Sequence, residues 1–239
     1  MKTMLLAAGK GTRLAPLTDK TPKPLLPVGG KPLIFHLLGQ LQQAGVNEVV
    51  INTHHLGEQI EQALSALDPS KIRLHFSREE ELLETGGGIK KALPILHQPT
   101  FWLCNADIFA DFDFNKLPTQ LLADDLAHLV LVPKPASRDT GDFAFADGRI
   151  TARGGDYVYA GIALLHRDLF QGSPASPFSL RDLLFEATAQ NRIAAQIHLG
   201  AWTDIGTPND YERIKGSTNT AKSPEADEKA AHMHEAKLT

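Results

Sequence analysis

Residues 4 to 28, MLLAAGKGTRLAPLTDKTPKPLLPV, carry the most readable chemistry in the chain. The apolar run Met4 to Ala8 enters Gly9-Lys10-Gly11-Thr12-Arg13, a loop of small residues with two cations. A glycine-rich loop after a strand exposes backbone N–H groups to an anion, because no Cβ blocks close approach. Arg13 adds a guanidinium fork that matches phosphate oxygens. A second cationic turn follows at Thr21-Pro22-Lys23-Pro24, where the prolines favour an extended turn around Lys23. Two such loops can hold a nucleoside triphosphate, with Lys23 at the α-phosphate and Arg13 at the β- and γ-phosphates. Lys10 is a weaker phosphate contact or a solvated lysine.

Two familiar phosphate loops do not fit. A P-loop requires G-x-x-x-x-G-K-[ST], a spacing absent from this chain. A dinucleotide fingerprint requires G-x-G-x-x-G, and Leu14 stands where the third glycine belongs. The next expected strand runs into Thr53-His54-His55 and not into the acidic residue that a ribose needs.

Loops of this kind need elements behind them. Hydrophobic runs and periodicity predict strands at 3–8, 47–52, 72–76 and 100–104, with helices at 32–44, 56–66 and 88–93. Pro32 near the start and Gly45 at the end mark the first helix. This alternation predicts an α/β fold, a Rossmann-like, mostly parallel sheet flanked by helices. Such sheets bind ligands at the carboxyl ends of their strands. Asn105-Ala106-Asp107 lies there, after the apolar Phe101-Trp102-Leu103-Cys104.

The second half changes character. Residues 127–133 read as a strand, and Asp147-Gly148 between Phe143-Ala144-Phe145 and Arg149-Ile150-Thr151 is a hairpin signal. Short strands over 142–165 read as a small antiparallel insertion. A helix at 179–190, a strand at 193–198 and a short helix at 208–216 complete one domain over 1–216. Residues 217–239 turn to Thr, Ala, Ser, Lys and Glu, and are expected to form a disordered tail.

The bulk numbers exclude several classes. Hydrophobic residues at 42% and charged residues at 22% over 239 positions suit one globular domain. A net charge of −4 argues against a nucleic-acid surface, so a cationic site must be a local pocket. The single cysteine, Cys104, forms no internal disulfide, fits the cytoplasm, and reads as inert core. No apolar run is long enough to span a membrane, and the apolar start is too short for a signal peptide. No pattern speaks to an oligomeric state.

The chain resembles the sugar-phosphate nucleotidyltransferase family. LAAGKGTRLAPLT and TPKPLLPVGGKPLI match its G-x-G-T-R-(x)n-K-P signature, in order and at the expected spacing. The similarity continues through ETGGGI (84–89), NAD (105–107) and WTDIGTP (202–208), covering about residues 1 to 216. It implies the nucleotide-diphospho-sugar transferase fold, and transfer of a nucleotidyl group to a sugar-1-phosphate with release of pyrophosphate. Within the family, ETGGGIKKALPIL and NADIF look most like the branch that joins UTP to N-acetylmuramate 1-phosphate in peptidoglycan recycling. The alternative is a GTP-dependent mannose-1-phosphate guanylyltransferase or another member. Residue chemistry by itself does not choose uracil over guanine.

The resemblance also assigns roles. Arg13, Lys23 and Asp107 are the expected catalytic residues. Asp107 and Asp204 are the expected ligands of Mg²⁺, which takes carboxylate oxygens. Read by themselves, Asp107 is equally a turn residue and Asp204 a cap of the helix near Thr207-Pro208; Asp111 and Asp113 are competitors, with Asp113 read as an N-cap. The nucleotide is expected against Ala7, Ala8, Gly9, Gly11, Thr12, Arg13, Lys23, Thr85, Gly86 and Asn105. The glycines at 86–88 otherwise read as a flexible connector. The sugar is expected against His54, Asp142, Tyr159, Gly161 and Arg153. Muramate carries a lactyl carboxylate, for which Arg153, Arg138 and Lys90 are the candidate partners. His55 is the other histidine at that strand end, and neither has acidic partners at zinc-ligand spacing.

Overall fold

Successive residues of a strand face opposite ways, and in the central strands both faces are apolar. Met4 and Leu5, Val50 and Ile51, and Leu103 and Cys104 are all fully buried. Such strands need cover on both sides. The computed structural model describes residues 1–136 and 138–216, so the tail expected over 217–239 lies outside the described residues.

The strands are β1 (Lys2–Leu6), β2 (Pro27–Val28), β3 (Lys31–Pro32), β4 (Glu48–Thr53), β5 (Arg73–Arg78), β6 (Thr100–Asn105), β7 (Ile108–Ala110), β8 (Ala127–Pro133), β9 (Phe143–Ala146), β10 (Arg149–Arg153), β11 (Tyr157–His166), β12 (Ile193–Ile197) and β13 (Trp202–Asp204). The α-helices are α1 (Leu17–Lys20), α2 (Leu33–Gln43), α3 (Gly57–Leu64), α4 (Glu84–Leu96), α5 (Leu180–Ala189) and α6 (Pro208–Ile214).

Nine strands form one sheet in the order β5-β4-β1-β6-β11-β8-β12-β10-β9. Seven run the same way, and β10 and β11 run against them. Strand β9 also pairs with β11 through Tyr157 and Phe143, so this end of the sheet curls back on itself. The β9–β10 hairpin turns at Asp147 and Gly148, both at positive φ as a tight primed turn requires.

Helices α2 and α3 cover one face, over a core that includes Leu5, Ile51 and Cys104. Helices α4 and α5 cover the other, over Met4, Val50 and Leu103. A third cluster joins Leu14, Leu26, Val28 and Leu33 to Ile205, Tyr211 and Ile214. It ties the first loops to α6, and the Tyr211 hydroxyl donates to the Pro27 carbonyl at 2.9 Å.

Helix α4 begins at Glu84, four residues before the sequence expectation. Glycine is a poor helix former, costing about 1 kcal/mol against alanine, so the glycines at 86–88 read equally as a flexible connector. Packing overrides propensity. A Cβ on Gly86 would lie 2.3 Å from the Phe178 ring, and one on Gly88 would lie 2.6 Å from Glu79 Oε1 and 2.7 Å from Asn52 Nδ2. Gly88→Ala is therefore expected to destabilise the protein by about 1–3 kcal/mol, the scale of overpacking, despite its better propensity. Urea unfolding measures this; an increase in stability would mean that α4 has room to shift.

Candidate active site

Helix-like turns hold both cationic loops. Gly11 sits at φ +64 and its carbonyl accepts from the Leu14 N–H at 2.8 Å and the Thr18 hydroxyl at 2.8 Å. A Cβ there would lie 2.8 Å from Thr18, so the turn needs glycine. Arg13 points out of this loop and packs along Gly206, where a Cβ would lie 3.1 Å from Nη1. Lys23 follows the extended Pro22 and opens a short 3-10 turn, Lys23–Leu25, where the sequence suggested a wholly extended one. Its side chain is buried.

The two aspartates meet at this lysine. Asp107 follows the end of β6. Strand β13 pairs antiparallel with β7 and sets Asp204 opposite Ile108, beside Asp107. Lys23 Nζ lies 2.6 Å from Asp107 Oδ2 and 3.9 Å from Asp204 Oδ1. Burial, and then the nearby Asp107 carboxylate, push the Asp204 carboxyl upward, against the pull of Lys23, Arg13 and Arg138. Asp204 is not the cap of α6. Thr207 is, in a reciprocal capping box with Asp210. Asp111 pairs with His198 at 2.9 Å, and Asp113 accepts from the Asn115 N–H as an N-cap.

One cavity adjoins this cluster, and a second shares a wall with the first. The larger, about 440 Å³, is lined by Leu6, Ala7, Ala8, Gly9, Gly11, Thr12, Arg13, Lys23, Thr85, Asn105 and Asp107, among others. The smaller, about 300 Å³, is lined by Asp142, Phe143, Tyr159, Leu180, Arg181 and Leu184. They share Leu6, Thr85, Asn105 and Ser179. The Ala7 N–H is already engaged by Asn52 Oδ1 at 2.8 Å. Asp142 accepts from the Tyr159 N–H at 3.0 Å. The Tyr159 hydroxyl is buried and has no hydrogen-bond partner among the described residues.

Four expected contacts stand away from these two cavities. Gly86 lies inside α4, with its N–H donating to the Phe178 carbonyl at 2.9 Å. His54 donates from Nδ1 to the Glu79 carbonyl at 3.0 Å, and His55 likewise serves the Thr18 carbonyl. Gly161 is at φ +80 in a break of the β11 register, and a Cβ there would lie 2.8 Å from Asn105 Nδ2. It makes space for Asn105 and touches neither cavity itself. Arg153 lines a separate recess next to Asp142. Lys90 is held by the carbonyls of Ser173 and Pro174. Cys104 is fully buried, and burial pushes its thiol far above the ordinary range, as inert core requires.

Sequence reasoning missed Asn52, Leu82, Ser179 and Arg181, which line the two cavities. Asn52 could have been found. It is the penultimate residue of β4, at the same carboxyl edge as Asn105. Its amide links Ala7 to Glu79 Oε1, while Glu79 Oε2 accepts from the Leu83 N–H. This buried chain ties the end of β1 to the start of α4.

Residues 2–143 match the family model for nucleotidyl transferases. The N-acetylmuramate alpha-1-phosphate uridylyltransferase of Neisseria meningitidis serogroup B is 41% identical over 216 residues, 87% of this chain and 94% of that protein. The one from Caulobacter vibrioides is 34% identical over 221 residues, covering 86% and 91%. HddC from Yersinia pseudotuberculosis, a crystal structure complexed with GMP-PN, superposes with a TM-score of 0.73 at 24% identity, covering 89% of this chain and 97% of that one. At that identity the likeness speaks to the fold.

Proposed function

The chain belongs to the nucleotidyl transferase family, and we propose that it joins UTP to N-acetylmuramate 1-phosphate, giving the UDP-sugar and pyrophosphate. The observation that carries this reading is the meeting of Lys23, Asp107 and Asp204 at the edge of the larger cavity, which Lys23 and Asp107 line. The choice of uridylyl and of muramate draws on the two relatives at 41% and 34% identity. The reaction belongs to peptidoglycan recycling in the cytoplasm. Among the described residues, no helix is long and apolar enough to cross a membrane.

In this reaction an oxygen of the sugar phosphate attacks the α-phosphorus of UTP. The bond from that phosphorus to the β-phosphate oxygen breaks, and pyrophosphate leaves. Both reactants are polyanions, so alignment and positive charge matter more than proton transfer. We assign the larger cavity to the nucleotide, with the base near Ala8 and Gly9 and the ribose near Asn105. In this reading Lys23 turns from Asp107 to the α-phosphate and stabilises charge that grows there. Arg13 engages the β- and γ-phosphates. Asp142 and Tyr159 meet the sugar in the smaller cavity.

The residues also fit a magnesium ion. Asp107 and Asp204 already flank one cation, the Lys23 ammonium. Among the described residues no third histidine, cysteine or acid joins them. Magnesium takes one or two carboxylates and completes its shell with phosphates and water. Bound there, it would neutralise phosphate charge.

Pyrophosphate release tests the proposal, using four nucleoside triphosphates against several sugar 1-phosphates. UTP with N-acetylmuramate 1-phosphate is expected to give the highest specificity constant, and a chelator to abolish turnover. A preference for GTP with mannose 1-phosphate would replace this assignment with the guanylyl one.

A further inference from the structure

Arg181 and Phe185 lie four residues apart on one face of α5. The Arg181 guanidinium stands 6.0 Å from the centroid of the Phe185 ring, and that of Arg153, from β10, only 3.9 Å. One ring thus carries two cations from separate elements. A cation over an aromatic face is attracted to it, but two guanidiniums together repel. Both line a recess of about 630 Å³ that shares Asp142 and Arg181 with the smaller cavity. Gly141 and Gly154 form part of its wall and add no side chain. Two carboxylates also line it. Asp142 is engaged with the Tyr159 N–H and with Arg138 at 3.5 Å, which leaves Asp182.

We propose that Arg153 and Arg181, seated on Phe185, form an anion subsite for a carboxylate carried by the acceptor sugar. The proposal rests on the sugar-phosphate acceptor reading above. Planar guanidinium forks match a carboxylate with paired hydrogen bonds. N-acetylmuramate differs from N-acetylglucosamine by a lactyl ether that ends in such a group. A sugar in the smaller cavity can project that ether past Asp142 into the recess. The other candidate cations are engaged elsewhere, Arg138 with Asp142 and Lys90 with the Ser173 and Pro174 carbonyls. Phe185 is a positioning residue, acting through the two arginines.

The test compares N-acetylmuramate 1-phosphate with its lactyl amide, an acceptor of the same shape without the charge. Specificity constants are measured with UTP for the wild type, Arg153→Gln, Arg181→Gln and the double variant. The wild type is expected to favour the acid, and the double variant to lose about ten- to a hundredfold of that preference. Phe185→Leu, which keeps both cations, is expected to raise KM for the acid with little change in kcat or in KM for UTP. A wild-type preference that survives in the double variant overturns the subsite and leaves the uridylyltransferase assignment standing. Equal use of acid and amide by the wild type also overturns it. Failure of the wild type to use either acceptor, while turning over other sugar phosphates, overturns the functional reading and the subsite with it.

Discussion

Replacing Asp107 or Asp204 by alanine is expected to lower turnover by at least about 10²–10³-fold, the loss seen when one electrostatic stabiliser is removed. Two facts motivate the figure. Both carboxylates converge on one point, and they come from segments nearly a hundred residues apart, brought together by the β7–β13 pairing. The folded state should survive either change, because each side chain is about a third exposed (36% and 37%) and neither packs in a core. The measurement is kcat at saturating magnesium and UTP, beside a thermal melt of each variant. Turnover within tenfold of the wild type in a folded variant would remove that aspartate from the machinery.

A second large effect is expected at Lys23. Lys23→Ala should lower kcat/KM by about 10²–10³-fold. It should also leave a distinct mark on stability. The ammonium is buried between two carboxylates, so its removal leaves Asp107 and Asp204 facing each other without the cation that joins them. With a chelator present, the variant is expected to melt below the wild type. Magnesium should narrow that gap, because a cation bound only by the folded state stabilises it. Lys23→Arg is not expected to restore activity, since a guanidinium is a planar fork and not a compact point charge. If Lys23→Ala stays active but melts early, the lysine holds the aspartates in place and takes no part in the chemistry.

Much of the frame behind this candidate site was legible in the sequence alone. The strands behind it are continuous apolar runs bounded by loops, and those at 48–53, 100–105 and 127–133 were expected within a residue. Asp147-Gly148 marked its hairpin because only a narrow set of residues accepts positive φ twice in succession. What escaped was set by contacts between distant segments. A three-residue strand such as Trp202–Asp204 has no period to detect, and its partner lies far away in the chain. Gly86 fell outside the expected helix because the Phe178 ring that requires it is remote, and the Glu79 carboxylate that requires glycine at 88 is remote too. The histidines 54 and 55 follow a strand end as a ligand-binding pair would, yet each turns its ring to a backbone carbonyl. Arg181 carries no local motif, and its place on the Phe185 face emerges only from the fold.

Leu6, Thr85, Asn105 and Ser179 border both cavities at once. A partition of this kind limits how such an enzyme can diversify. With donor and acceptor seated as proposed above, a substitution in it reshapes both seats together, so a lineage moving toward a new sugar through these positions would disturb its nucleotide as well. The far walls are under no such joint constraint. Arg181 and Leu184 on one side, and Ala8 and Leu82 on the other, each border a single one of the two chambers. Heritable change in donor and in acceptor can proceed separately there, and directed evolution toward new sugar nucleotides should begin with libraries at those outer positions while the partition is held constant.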